Sequence, residues 1–293
     1  MFRGRSAAVA AAVAIAAAAA VSAGCGGGGT SSAVSLDPVA AAATKTENAG
    51  AARIRLAMTI EGQGKAARIR GTGAMDGTSS KMTFELGSLM GLTGLPSAAR
   101  SQLRHGPLQE VALEQDGDYV VYLRLGILAS ELPEGKQWIK LDVSKLGKSA
   151  GLDVGKLLSA GGQVQPTDLL STLQSAGARV HKLGSATIGG AATTQYRVTI
   201  DMAKLLQSKG LTNPLLSGAA AQMKTLTENV WIGEDGLVRR IALRYGLPVA
   251  GSPTMTMAMD IYDYGARVDI AAPPSDQVFD ATQFARQGLG SLH

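Results

Sequence analysis

Apolar and polar residues alternate with a period of two through most of this 293-residue chain. Such a period is typical of β-strands that bury one face and expose the other. Four of these segments are interrupted by short glycine-containing turns, whose residues accept the positive φ angles of tight hairpins. The turns are Gly62-Gln63-Gly64, Asp116-Gly117, Gly189-Gly190 and Asp235-Gly236. The alternation therefore predicts four antiparallel hairpins.

Further strand signals bring the expected total to about eleven strands. A long strand is predicted over residues 254–264, and shorter ones over residues 81–86 and 137–141. Because short connections favour antiparallel neighbours, we expect a mostly antiparallel sheet.

Helix signals are fewer and fall between the hairpins. Asp37 and Pro38 predict the start of a helix, with Asp37 as its N-cap. Residues 166–177 and 213–223 form two further candidate helices with one apolar stripe each. A single stripe packs against a neighbouring layer, so these helices are expected to cover the sheet. The predicted fold class is α+β.

An internal repeat relates residues 141–152 to residues 200–211. In each copy a predicted strand ends in an aspartate, Asp142 or Asp201. An aspartate at such a junction commonly accepts hydrogen bonds from the first turn of a following helix. We therefore interpret both as helix caps, with a functional carboxylate pair as the alternative.

The first 24 residues are typical of an export signal. Arg3 and Arg5 form a positive n-region, residues 7–21 form an apolar h-region, and small residues precede Cys25. The segment resembles a bacterial lipoprotein signal, in which the cysteine thiol receives diacylglycerol and the preceding peptide is removed. That resemblance implies an exported protein held by a lipid anchor on the outer face of the cell membrane.

Two features of this segment bear on the anchor. Ser22 stands where lipoprotein signals usually carry leucine, and the alternative is an ordinary secretory signal cleaved near Ala23. Cys25 is the only cysteine, which excludes a disulfide within one chain. Residues 25–36 are expected to be a flexible Gly/Ser-rich tether, followed by one domain over residues 37–285 and a tail over residues 286–293.

Motifs for catalysis, metal binding and phosphate binding are absent from the sequence. It contains no HExxH, no GxSxG elbow and no phosphate loop, and its three histidines are isolated. We expect no enzyme activity, no metal and no cofactor. Removal of Arg3 and Arg5 with the signal lowers the net charge from +5 to about +3. This dispersed charge, with 4% aromatic residues, predicts no nucleic-acid partner.

Methionine is common in the predicted strands, and phenylalanine is scarce. Three alternate residues of one strand are methionines, namely Met255, Met257 and Met259. Methionine is flexible and polarizable, so it adapts to irregular or changing contents. A curled sheet with such a face either encloses an elongated apolar cavity or is filled by its own side chains and helices, and the sequence leaves both open.

Several short motifs follow one another in a characteristic order. They are WIKLD at residues 138–142, YRVTID at 196–201, VWIGEDGLVRR at 230–240, YG at 264–265 and APP at 272–274. In this order the chain resembles the LppX/LprA/LprF/LprG lipoproteins of actinobacteria from about residue 38 to residue 282. The resemblance implies a half-barrel, similar to that of the LolA and LolB carriers, whose concave face and covering helices enclose a pocket for acyl chains.

The leading hypothesis is a non-catalytic lipoprotein that binds lipid or glycolipid acyl chains and helps carry them across the envelope. The expected partners are the lipid, the membrane and an envelope transporter, and the chain is expected to be monomeric. The candidate cavity residues are Leu56, Met58, Met82, Phe84, Met255, Met257 and Met259 on strands, with Leu173 and Met223 on covering helices. The alternatives are an envelope scaffold with a filled core and, in third place, an envelope hydrolase.

Overall fold

The computed structural model describes residues 33–34, 36–62, 64–86, 106–126, 132–133, 135–149, 177–208, 224–246 and 253–290. Cys25, Leu173 and Met223 lie outside these residues, as do the predicted tether up to residue 32, residues 166–176 of one candidate helix and the whole of the other.

Thirteen strands and four α-helices are formed by the described residues. The strands are β1 (Ala33–Val34), β2 (Ala52–Gly62), β3 (Lys65–Asp76), β4 (Ser79–Glu85), β5 (Leu108–Gln115), β6 (Asp118–Arg124), β7 (Trp138–Asp142), β8 (Arg179–Ile188), β9 (Ala191–Asp201), β10 (Thr225–Gly233), β11 (Val238–Gly246), β12 (Thr254–Tyr262) and β13 (Val278–Asp280). The helices are α1 (Asp37–Asn48), α2 (Val143–Ser149), α3 (Met202–Ser208) and α4 (Thr282–Gly290), and a 3-10 turn spans Ser275–Gln277.

All thirteen strands belong to one open sheet in the order β1-β8-β9-β10-β11-β12-β2-β3-β4-β5-β6-β7-β13. Neighbouring strands are antiparallel except for β13, which pairs with β7 in parallel. Laid flat, a sheet of this size would be about 58 Å wide at ~4.8 Å per strand. A domain of this length has a radius of gyration of about 18 Å, so the twist between strands must curl the sheet. The predicted α+β half-barrel is confirmed.

The two strands that the sequence did not predict are at the edges of the sheet. β1 has two residues and β13 has three, too few for a period-two pattern to be recognised. Short edge strands expose few unpaired backbone groups, which limits pairing with other chains. The predicted total of about eleven strands is therefore low by these two.

Three of the four predicted hairpin turns are confirmed, and their backbone angles explain the residues used. Gln63 of the fourth turn lies outside the described residues. Asp116 and Gly117 have φ of 54° and 78°, and Gly189 and Gly190 have φ of 58° and 87°. Two consecutive positive φ angles define the turn whose twist matches that of the flanking strands. Glycine adopts these angles without strain, and aspartate tolerates them better than most residues.

The helix-capping interpretation of the internal repeat is confirmed for both copies. The Lys145 amide donates to Asp142 Oδ1 over 2.8 Å, and the Lys204 amide donates to Asp201 Oδ1 over 3.1 Å. β7 and β9 lie far apart in the sheet order, so the two aspartates do not form a carboxylate pair. The N-cap prediction for Asp37 is shifted by one residue, because α1 begins at Asp37 and Leu36 occupies the N-cap position.

One face of the sheet carries a continuous apolar core. Every strand from β8 to β7 in the sheet order contributes a buried residue to it, as do α1 through Val39 and α2 through Leu146. The opposite face has a small second cluster over β5 and β6, which includes Val111 and Tyr122 and against which Ile270 packs. The main core therefore lies on one side of the sheet, which we call the inner face.

Two glycines on the inner face of β3 make room for large neighbours. Gly71 and Gly73 lie directly opposite Phe84 and Met82 of β4. A Cβ atom on Gly71 would lie 2.8 Å from the Phe84 ring, and one on Gly73 would overlap the Lys81 carbonyl oxygen. Glycine is required here because the Phe84 and Met82 side chains lie across the β3 backbone.

We predict that Gly71→Ala lowers the free energy of unfolding by about 1–3 kcal/mol, the usual effect of overpacking. Gly73→Ala is expected to lower it further, because a backbone oxygen moves aside less easily than a side chain. Urea unfolding of the purified variants measures both effects. Gly184→Ala is the matched control, since a Cβ on this strand glycine meets nothing within 4 Å. Equal stabilities of all three variants would contradict the packing described above.

Candidate functional site: the inner face of the sheet

The predicted cavity residues that the structure describes lie on three strands near the centre of the sheet, β12, β2 and β4. Met257 of β12 pairs with Met58 of β2, and Met259 pairs with Leu56. All seven side chains belong to the main core, and their exposed fractions range from 1% to 7%. These residues therefore share one face of the sheet, and their role in lining an acyl-chain cavity stays a prediction. The predicted contributions of Leu173 and Met223 fall outside the described residues.

Two glutamates interrupt this apolar face. Glu110 on β5 lies directly opposite Met82 of β4 and Leu123 of β6, so it shares the inner face with them. Glu228 on β10 lies directly opposite Leu243 of β11. Each glutamate is only 1% exposed. The two positions are symmetric in the sheet order, because β5 and β10 are each three strands away from β2.

The carboxyl groups of these glutamates lack the partners that buried acids normally have. Oε2 of Glu110 and both carboxyl oxygens of Glu228 make no hydrogen bond. Burial raises the pKa of Glu110 to about 7 and that of Glu228 to about 8, because the charged form loses its hydration. Tyr119, also buried, has its pKa raised to about 12, first by burial and then by the charge of Glu110.

The sequence analysis missed both glutamates although the period-two pattern contains them. Glu110 has the same parity in its strand as Leu108 and Ala112, and Glu228 has the same parity as Val230 and Ile232. A charged residue in an otherwise apolar register is the signal that would have identified them.

The opposite face carries a different kind of surface. An open hollow of about 300 Å³ is lined there by small residues such as Thr72 and by the charged side chains Arg55, Arg70, Arg240 and Asp260. Arg240 holds Asp260 through two hydrogen bonds, one of them 2.8 Å from Nη2 to Oδ2. This hollow is open to solvent and has charged side chains in its lining, so it differs from the enclosed apolar cavity that the sequence predicts for acyl chains.

Metal sites and membrane-spanning helices are both absent from the part of the chain that the structure describes. No group of three or more His, Cys, Asp or Glu side chains there is arranged to hold a metal ion. None of the helices in those same residues has the length and apolar character needed to cross a membrane.

A scan against protein-family models and a search of curated proteins give no match. Among solved structures, the chain is similar to LprF from Mycobacterium bovis, with a TM-score of 0.38 and 12% identity over 83% of this chain and 100% of that one. Lipoprotein LppX from Mycobacterium tuberculosis gives a TM-score of 0.41 and 15% identity over 80% of this chain and 100% of that one. A LolA-superfamily protein from Nitrosomonas europaea gives a TM-score of 0.25 and 10% identity over 83% of this chain and 96% of that one. LprF and LppX are members of the family that the sequence motifs resemble.

The buried glutamates predict an unusual dependence of stability on pH. Their pKa values are higher in the folded chain than the ordinary value of 4.5, so the folded state binds these protons more tightly. Their stabilising contribution is complete below an unfolded-state pKa of about 4.5 and is lost as the pH rises through about 7 and 8. The free energy of unfolding of the parent chain is expected to fall between about pH 5 and about pH 9. We predict that this fall is smaller by a few kcal/mol in Glu228→Gln, and smaller by a lesser amount in Glu110→Gln.

Urea unfolding across this pH range tests the prediction. The control is Glu114→Gln, which alters an exposed glutamate on the same strand as Glu110. Groups whose pKa is lowered in the folded chain, such as Asp280, stabilise it at higher pH instead, so their effect on the unfolding free energy has the opposite sign. These groups are present in all variants and do not affect the comparison. Parallel pH profiles for the parent chain and both buried-site variants would show that the carboxyl groups are hydrated.

Proposed function

We propose that this chain is an exported, membrane-anchored, non-catalytic protein that binds the acyl chains of lipids or glycolipids along the inner face and helps carry them across the cell envelope. The observation that carries the proposal is the continuous apolar surface contributed by eleven consecutive strands of an open, curled sheet. A curled sheet that is not closed can admit a long, narrow apolar ligand along its concave side.

The side chains at the centre of this face suit such a ligand. Met58 and Met257 face each other across β2 and β12, with Met255 and Met259 on either side of Met257 along β12. Unbranched thioether side chains adapt their shape to different contents with little loss of contact. Acyl chains would leave one hydrocarbon-like environment for another, so the carrier removes a cost of about 0.8 kcal/mol for each methylene exposed to water. Such a carrier needs no energy source of its own.

A scaffold with a filled core is the second candidate, and one observation favours it. Phe84 and Met82 fold over Gly71 and Gly73, so part of the inner face is filled by its own side chains. The low exposure of the methionines is compatible with the same arrangement. The two functions differ in one physical respect, which is whether the centre of the inner face accepts additional volume.

We predict that Met58→Trp keeps the free energy of unfolding within about 1 kcal/mol of the parent value and lowers the amount of co-purifying acyl lipid. The added indole would occupy space that a ligand otherwise uses. In a filled core the same substitution would cost about 1–3 kcal/mol through overpacking. Urea unfolding and native mass spectrometry of the gently purified chain measure the two quantities.

The matched control is Thr59→Trp, which places the same side chain on the next residue of β2 and therefore on the opposite face. This variant is expected to keep its lipid. A strongly destabilised Met58→Trp variant, together with a parent chain that never co-purifies with lipid or binds a fluorescent fatty-acyl probe, would favour the scaffold.

The anchor is tested separately through Cys25. We predict that Cys25→Ser moves the chain from the membrane fraction to the soluble fraction of the envelope and abolishes incorporation of a labelled fatty acid. Two acyl chains on one residue hold a protein firmly, whereas their loss leaves no comparable membrane contact. A Ser22→Leu variant restores the usual lipoprotein signal and serves as a positive control. Unchanged membrane association of Cys25→Ser would contradict the anchor.

A further inference from the structure

Glu110 and Glu228 are the polar features of the inner face that packing does not explain. Each is 1% exposed and each has at least one carboxyl oxygen without a hydrogen bond. An unpaired buried polar group of this kind lowers stability, and an apolar residue of similar volume would fit the surface better. These two positions are therefore candidates for contacts with something outside the chain.

The side chains directly opposite the two carboxyl groups offer trapped water few partners, although Tyr119 lies close enough to Glu110 for its pKa to respond to that charge. Met82 and Leu123 flank Glu110 on the adjoining strands, and Leu243 is opposite Glu228. A buried water molecule is held by two to four polar groups. The directly opposed side chains supply none of these groups. A ligand with polar atoms of its own meets the requirement without further protein donors or acceptors.

The third buried acid among the described residues, Asp142, has partners within the chain, and the comparison is informative. Asp142 is 3% exposed, yet its carboxylate accepts from the Lys145 amide and pairs with the Lys145 ammonium. The sequence thus supplies partners where a buried acid serves the fold. It supplies none for the unbonded oxygens of Glu110 and Glu228, which lie on the surface assigned above to acyl chains.

We propose that Glu110 and Glu228 hydrogen-bond the ester carbonyl and hydroxyl groups of a neutral acylglycerol-type lipid whose chains lie along the inner face. This inference rests on the proposed function and specifies its ligand class. A protonated carboxylic acid donates to an ester carbonyl through its hydroxyl and accepts from a ligand hydroxyl through its carbonyl oxygen. The positions of β5 and β10 on either side of β2 allow one amphiphile to be held from two walls of the curled sheet.

The protonation state of the two side chains supports a neutral ligand. Burial raises both pKa values towards or above neutrality, so the uncharged acids that such hydrogen bonds require are well populated. A lipid with a cationic amine would instead require the ionised forms. The two ligand classes are separated by direct competition.

The experiment uses the full chain carrying Cys25→Ser, which removes the acyl groups of the anchor itself. Diphenylhexatriene, a hydrocarbon without polar atoms, reports binding to the inner face by its fluorescence. Dioctanoylglycerol, with two ester carbonyls and one hydroxyl, is the competing ligand, and dodecylamine is the cationic comparison. Glu110→Leu and Glu228→Leu remove the polar atoms while retaining an apolar side chain that suits the site.

We expect each leucine variant to bind dioctanoylglycerol roughly five- to tenfold more weakly, which corresponds to the loss of one hydrogen bond. Binding of diphenylhexatriene should stay within about twofold of the parent value, since it depends on apolar contact alone. The glutamine variants at both positions should recover most of the affinity, because an amide also donates and accepts. Glu114→Leu, at the exposed end of β5 four residues from Glu110, should leave both affinities unchanged.

Several results would overturn the inference. Equal affinity of the leucine variants and the parent for dioctanoylglycerol would mean that water alone satisfies the two acids, while the proposed function would stand. Stronger binding of dodecylamine than of dioctanoylglycerol would assign a cationic ligand class instead. A parent chain that binds neither diphenylhexatriene nor dioctanoylglycerol would overturn the inference and the proposed function together.

Discussion

Burial of one face of a very wide sheet is the constraint on which this structure depends. Eleven consecutive strands each place apolar residues on the same side, and water must be excluded from all of them at once. A flat sheet would need a second layer about as wide as itself. Strand twist brings the two halves of the sheet towards each other instead, so that part of the covering comes from the sheet itself. Helices α1 and α2 add buried residues to the same core, and the partly buried Ala285 of α4 packs against it.

The sequence predicted the hairpins well because turn chemistry and strand period are local. Asp116-Gly117 requires only its own backbone angles, and the alternation of Leu56 and Met58 requires only their own strand. The edge strands β1 and β13 could not be predicted, because their pairing depends on distant partners such as Val180 and Ile139. The unpaired state of Glu110 likewise depends on which strands lie beside it. Register across the sheet is the information that a single sequence lacks.

The two faces of the central strands divide the chemistry of the molecule. On the inner face, the cross-strand neighbours are methionines, leucine and glycines over which Phe84 and Met82 lie. On the outer face, alanine and threonine alternate with arginines, and Arg55 lies 4.5 Å from the centre of the Tyr262 ring. The guanidinium groups remain hydrated or paired there at little cost. Glu110 and Glu228 depart from this division because they are acids on the apolar face. For that reason the proposed ligand contacts are assigned to them and not to the many surface charges.

The proposed lipid anchor at Cys25 would limit where the inner face can be loaded. Ala33 lies in edge strand β1, which pairs with β8 through His181 and Val180. Seven residues lie between it and Cys25, so the eight steps along the chain reach at most about 28 Å when fully extended. An acylated Cys25 would therefore keep the β1 edge of the sheet within about 28 Å of the lipid headgroups. Glu228 on β10 is three strands from this edge and Glu110 on β5 is nine, so a lipid entering from the membrane at this edge would meet Glu228 first.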